Sequence, residues 1–288
     1  MISNEIKELI NTIDESLNSS IYLKGQYQQK VYESIKYSLF TGGKRLRPIF
    51  AIKSFELFND DIQQILPFAS AIEMIHTYSL IHDDLPSMDD DKIRRGNPTN
   101  HIVYGEALAI LAGDGLLNLA YETMLKSTIK SAKSLEDYEK RVRIMQIIAS
   151  ASGIEGMIGG QVVDLLGNED DMDEDKLNFM YKAKTSALFE ASMLAGSMLG
   201  GASDREIEIM HSFSKKVGMA YQIKDDFLDI EQDEEIEKYT YLSLKDNKLA
   251  FEKLEDLTKG ALEDLKNLED RNTEFLMKLT VLLLNREK

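Results

Sequence analysis

The chain has 288 residues, 43% of them hydrophobic, enough for one large core or two smaller ones. Lys and Arg number 34 against 50 Asp and Glu, and the formal charge of −16 disfavours DNA and anionic lipid surfaces as partners. Cysteine is absent, which excludes a disulfide framework and thiolate chemistry.

Helical periodicity begins at once. Ile2, Ile6, Leu9, Ile13 and Leu17 recur at the spacing of one helix face, and this start lacks the basic opening and apolar stretch of a signal peptide. "TGGKRLRP" (41–48) follows. Gly42 and Gly43 allow close backbone approach, and Lys44, Arg45 and Arg47 suit a phosphate, although the spacing of a P-loop is missing. Pro48 and Pro67 each suit a first helical turn. A helix running from about Pro67 then delivers Asp83 and Asp84 at its C-terminal end, where the helix dipole is already negative.

The stretch "HDDLPSMDDDKIRRG" (82–96) is the densest cluster of charge in the chain. Pro86 distorts the helix end and lets Asp89 return towards Asp83. A hard divalent cation resolves such crowding, because Mg²⁺ takes oxygen ligands from one or two carboxylates plus substrate phosphates. A solvated acidic loop is the alternative. Arg94 and Arg95 follow directly, and Pro98 closes the loop.

"IVYGEALAILAGDGLLNLA" (102–120) carries Glu106 and Asp114 and predicts a buried helix rather than a membrane span. In "GGQVVDLLG" (159–167), Gln161 and Asp164 are candidates to orient ligands, and close helix packing at Gly159 and Gly160 explains the motif as well. The runs at 168–176 and 229–238 read as acidic loops. An EF-hand is excluded in "DDMDEDKLNFM", which lacks glycine at the sixth position. "KTSAL" supplies Lys184 and Thr185, and the Ala-, Gly- and Met-rich segment after it predicts closely packed helices. "YQIKDDFLD" (221–229) sets Gln222, Asp225 and Asp229 on one helix face, a second carboxylate group that again calls for a cation. No strand pattern, repeat or linker emerges, which predicts one all-α domain over 1–288 with about ten or more helices. Two carboxylate clusters and separate basic clusters suggest a site for two polyanions, one held through metal and one by bases alone.

The sequence resembles the trans-prenyl diphosphate synthases, in particular bacterial farnesyl diphosphate synthases of the geranyltransferase type. The resemblance spans nearly the whole chain and rests on "GGKRLRP", "DDLPSMD" with "RRG", "GGQVVDL", "KTSAL" and "QIKDDFLD", in that order. It implies a helical bundle around a central cavity and a cytoplasmic homodimer. It also implies Mg²⁺, three ions with diphosphate bound and Mn²⁺ as a substitute, with isopentenyl and allylic diphosphates as substrates. By resemblance, Asp83, Asp84, Asp89 and Asp225 bind metal, and Arg94 and Lys184 hold the allylic diphosphate. Lys44, Arg47, His76 and Arg95 hold isopentenyl diphosphate. Thr185, Gln222 and the Lys184 carbonyl face the carbocation, and the displaced diphosphate accepts the proton. Tyr78, five residues before Asp83, is expected to close the chain-length cavity at farnesyl diphosphate. A geranylgeranyl diphosphate synthase of the same family, a class I terpene cyclase and a silent regulatory subunit are the alternatives. A cyclase takes one diphosphate and has no use for Lys44, Arg47 and Arg95; a silent subunit is expected to have lost an aspartate motif. One departure stands out. The family's usual Gly- and Lys-containing loop is short here ("DIEQDEEIEKYTYLSL", 229–244), and only Lys238 stands near the place of its lysine.

Overall fold

The computed structural model describes residues 2–22, 25–167, 173–228, 242 and 247–286. The described chain is almost wholly helical, as the periodicity requires. In order come α1 (Ile2–Ser20), α2 (Gln29–Phe40), α3 (Leu46–Glu56), α4 (Leu66–Asp83), α5 (Asn100–Tyr104), α6 (Glu106–Ser131) and α7 (Leu135–Ser152). After these come α8 (Met157–Leu166), α9 (Glu174–Met180), a π-helical turn (Tyr181–Ser186), α10 (Ala187–Gly200), α11 (Asp204–Leu228), α12 (Asn247–Lys266) and α13 (Glu274–Leu284). Pro48 and Pro67 do fall in the first turns of α3 and α4.

The described residues gather into two compact units, one of Ser3–Ile52 with Asp61–Met145, the other of Lys53–Asp60 with Gln146–Lys288. In the first, α1 buries Leu9, Ile13 and Leu17, the stripe its spacing predicts. Helix α4 packs along α6. It is buried nearly all round, from Leu66 to Ile81, and so shows little amphipathic asymmetry. Arg45 is the internal anchor of this unit. Its side chain is 2% exposed, and it donates to Asp14 (3.0 Å), to Glu73 (2.8 Å) and to the Leu39 carbonyl (2.5 Å). In the second unit α11 packs against α10, α12 and the π-helical turn. Leu177, Met180, Tyr181, Ala220, Ile223, Ala250, Leu254 and Leu284 form a core cluster there.

Three expectations are corrected. The segment around 102–120 is broken at Gly105 (φ 84°) and its helix is not wholly buried: Ile110 is 43% and Leu111 55% exposed. The 82–96 loop contains a short antiparallel ladder, Ile93–Arg94 against Asn97–Pro98. At the end of the acidic run 168–176, Asp173 is a helix cap, accepting from the Lys176 N–H at 2.8 Å.

Candidate active site

The first aspartate motif is built by the end of α4. The Asp84 N–H donates to the Leu80 carbonyl at 3.1 Å, which continues the last helical turn. The turn at Pro86 then folds back, and the Asp89 N–H donates to the Asp83 carbonyl at 2.9 Å. Six positions of separation are thereby closed, as the proline suggested.

The ladder sorts the two arginines. Arg95 and Gly96 take the two central places of its turn with φ 54° and 76°, the left-handed pair of a tight hairpin. Arg94 donates to Asp84 (2.5 Å) and to Asp91 (3.0 Å). Arg95 donates instead to the Gly42 carbonyl. Gly43 has φ 135°, a backbone conformation that favours glycine, and a Cβ there would meet the tip of the Arg95 side chain at 2.6 Å. His76 lies in the field of the same bases. Burial first, then Arg47, Arg95, Arg94 and Arg45, hold its imidazole well below the usual value. Lys44 stands exposed on the loop beside them. Burial raises the Asp84 carboxyl above the usual range, against the opposing pull of Arg94. Tyr78 is 6% exposed, packs edge-on to His82 at 5.8 Å, and has its phenol pushed up to about 12, chiefly by burial.

The second unit carries the other set. Helix α8 lies so close to the π-helical turn that a Cβ on Gly160 would sit 2.3 Å from the Lys184 nitrogen. Lys184 donates to Asp164. Glycine permits the close approach expected of "GGQVVDL", and Asp164 is the partner of Lys184. Gln161 is 9% exposed and its side-chain N–H₂ has no hydrogen-bond partner among the described residues. Thr185 donates to the Gln222 side-chain carbonyl (2.7 Å), and the Gln222 amide donates to Asp226 (3.2 Å). Tyr181 also donates to Asp226, which is 4% exposed. Of the adjacent aspartates, Asp226 thus holds the framework, and Asp225 is the more exposed. Asp225 accepts from Arg286, whose guanidinium lies 4.1 Å over the Tyr221 ring. Tyr181 and Arg286 were not singled out from sequence, and Arg286 is 61 positions from its partner, beyond any local pattern. Asp229 and Lys238 lie outside the described residues.

These carboxylates are hard oxygen donors. Among the described residues no group of three or more His, Asp or Glu is gathered for a metal. Mg²⁺ fits such a set nonetheless, because it completes its shell with water and substrate phosphate rather than with an all-protein cage. Four residues of the predicted site, Asp84, Arg94, Lys184 and Asp225, are already partnered inside the protein, in the pairs Arg94–Asp84, Lys184–Asp164 and Arg286–Asp225.

Residues 28–275 match the polyprenyl synthetase family model. The chain belongs to the polyprenyl synthetase family. It is 41% identical to geranylgeranyl pyrophosphate synthase 7 of Arabidopsis thaliana, over 87% of this chain and 71% of that one. It is 42% identical to the farnesyl diphosphate synthase of Geobacillus stearothermophilus, over 82% and 78% of the two chains. A crystal structure of an FPP/GFPP synthase from Zymomonas mobilis superposes with a TM-score of 0.87 and 31% identity, covering 98% of each chain. The all-α isoprenoid synthase fold expected of a polyprenyl synthetase is therefore the fold of this chain. Such a transferase works on prenyl diphosphates. No described helix is long and apolar enough to cross a membrane.

Proposed function

We propose that this polyprenyl synthetase condenses isopentenyl diphosphate with dimethylallyl or geranyl diphosphate and releases mainly (2E,6E)-farnesyl diphosphate. The observation that supports it best is the gathering of Arg47 and Arg95 around His76, with Arg95 also reaching the Gly42 carbonyl. A second, metal-independent diphosphate needs such a basic site, and a cyclase with one diphosphate does not.

Lys44, Arg47, His76 and Arg95 hold isopentenyl diphosphate. His76 acts there as a neutral hydrogen-bonding group, since burial first and then the surrounding guanidiniums disfavour its protonation. Arg94 and Lys184 turn from Asp84 and Asp164 to the allylic diphosphate. Asp83, Asp84, Asp89 and Asp225 would hold Mg²⁺, three ions with diphosphate bound and Mn²⁺ as a substitute; when bound, these ions offset the charge of the departing diphosphate. Thr185, the Lys184 carbonyl and Gln222 face the allylic cation that remains. The Gln222 amide keeps its oxygen fixed by donating to Asp226 and accepting from Thr185. Isopentenyl diphosphate then forms the new C–C bond, and the displaced diphosphate takes the proton that is lost. The protein acts as a cytoplasmic homodimer.

The relatives divide between farnesyl and geranylgeranyl synthases. The buried ring of Tyr78 favours the shorter product. Purified protein with Mg²⁺, dimethylallyl diphosphate and labelled isopentenyl diphosphate tests all of this. A C15 diphosphate is expected; a C20 diphosphate establishes the geranylgeranyl alternative, a hydrocarbon establishes a cyclase, and no elongation overturns the proposal. Asp83→Ala is expected to cut turnover at least about a hundredfold while the thermal unfolding curve is retained.

A further inference from the structure

The Arg286–Asp225 pair lies on one of the carboxylates proposed above as a metal ligand, and Arg286 has no place in the chemistry described so far. Its side chain is 8% exposed. Arg286 follows α13 by two residues, so the pair ties the end of that helix to α11. The guanidinium rests on the Tyr221 ring at 4.1 Å, one helical turn before Asp225. Of its donor groups, Nη2 reaches Asp225, whereas Nε and Nη1 are buried without hydrogen-bond partners among the described residues. The arginine is thus held by the charge of Asp225 and by the ring, with much of its hydrogen-bonding capacity unused. A fully satisfied structural arginine looks different, as Arg45 does with its three acceptors.

We propose that Arg286 is a positioning residue that competes with the divalent cation for Asp225. This rests on the assignment of Asp225 as a metal ligand. One carboxylate oxygen cannot serve a buried guanidinium and a divalent cation at once without bringing like charges within a few ångströms. Metal binding at Asp225 is therefore coupled to the withdrawal of Arg286 from it, and by reciprocity Arg286 weakens the affinity for metal. Before metal binds, the pair balances the Asp225 charge and keeps the last helix docked.

The test uses the full chain and Mn²⁺ alone, with free Mn²⁺ read by electron paramagnetic resonance. Arg286→Gln is expected to bind Mn²⁺ about tenfold more tightly than the wild type. It is also expected to unfold a few degrees lower in EDTA, and this deficit shrinks in saturating Mn²⁺. Arg286→Lys, which keeps the charge, is expected to restore most of the wild-type weakness. An Arg286→Gln variant whose unfolding temperature falls equally with and without Mn²⁺, at unchanged affinity, overturns the proposal and leaves Arg286 a structural tie. Asp225→Asn separates the two layers. Loss of a Mn²⁺ site in that variant supports Asp225 as a ligand whatever Arg286 does, and wild-type Mn²⁺ binding removes that assignment and the competition with it. If Arg286→Gln does not fold, Tyr221→Leu withdraws the ring beneath the guanidinium and is expected to tighten Mn²⁺ in the same direction by a smaller factor; unchanged binding there counts against the proposal.

Discussion

Tyr78 is 6% exposed, and five residues of helix put it roughly 7.5 Å along the α4 axis from Asp83. Its ring is expected to limit the growing prenyl chain, so Tyr78→Ala should shift the main product from C15 to C20 or longer, read by chromatography of the dephosphorylated products. A variant that still stops at C15 with normal turnover removes Tyr78 as the floor. His76 carries a pH signature. Its imidazole is held well below 6.5 in the folded protein, by burial and then by Arg47. The unfolded chain therefore takes up the proton first as the pH falls. The contribution to stability is complete above about pH 6.5 and is lost as the pH falls below it, by at most about 1.4 kcal/mol per pH unit for a single proton. Urea unfolding of wild type and His76→Gln at pH 7.5 and 5.5 should show a wild-type loss that the variant lacks; equal losses refute the depressed imidazole. At this scale the sequence was half legible. The return of Asp89 towards Asp83 at Pro86 follows from local sequence, whereas the separate tasks of Arg94 and Arg95 were implied by the resemblance alone, and the structure gives the two different partners, Asp84 and the Gly42 carbonyl. The roles of Arg45 and Arg47 do not follow from local sequence, since the two lie two positions apart in one basic motif and only burial against Asp14 and Glu73 makes Arg45 internal.

At the level of elements, the contact between α8 and the π-helical turn decides the geometry of Lys184 and Thr185. A π-turn inserts an extra residue and re-aims the backbone that follows. The backbone approach at Gly160, with a virtual Cβ 2.3 Å from the Lys184 nitrogen, leaves no room for a side chain. Gly160→Ala is therefore expected to cost about 1–3 kcal/mol, the range for overpacking, and to raise KM for the allylic substrate as Lys184 moves off line. Denaturant unfolding and steady-state kinetics check both; an alanine variant of wild-type stability and KM shows that the approach is not required. The sequence pointed to close packing at this glycine. It did not reveal the π-turn, because "YKAKTS" reads as ordinary helix and the bulge is a response to its neighbours.

For the whole molecule, the proposed homodimer needs a large apolar surface, and α6 exposes Ile110, Leu111, Leu125 (49%) and Ile129 (71%). Exposed apolar side chains on one helix make that face a candidate interface. Leu111→Glu combined with Ile129→Glu is expected to turn a dimer into a monomer by light scattering, and a double variant that stays dimeric puts the interface elsewhere. The sequence alone was sufficient for the helical class, the helix starts at Pro48 and Pro67, the end of α4 at the aspartates, and the ordered motifs that carry the family. These features depend on residues within a turn or two of one another, where periodicity, capping and proline geometry act. Only the tertiary structure decided which face of α6 stays exposed and which charges meet. A long Arg or Lys side chain can reach any of several carboxylates among 50 in this chain. The choices of Asp164 for Lys184 and Asp225 for Arg286, 20 and 61 positions away, are made by the packing of helices and not by local spacing.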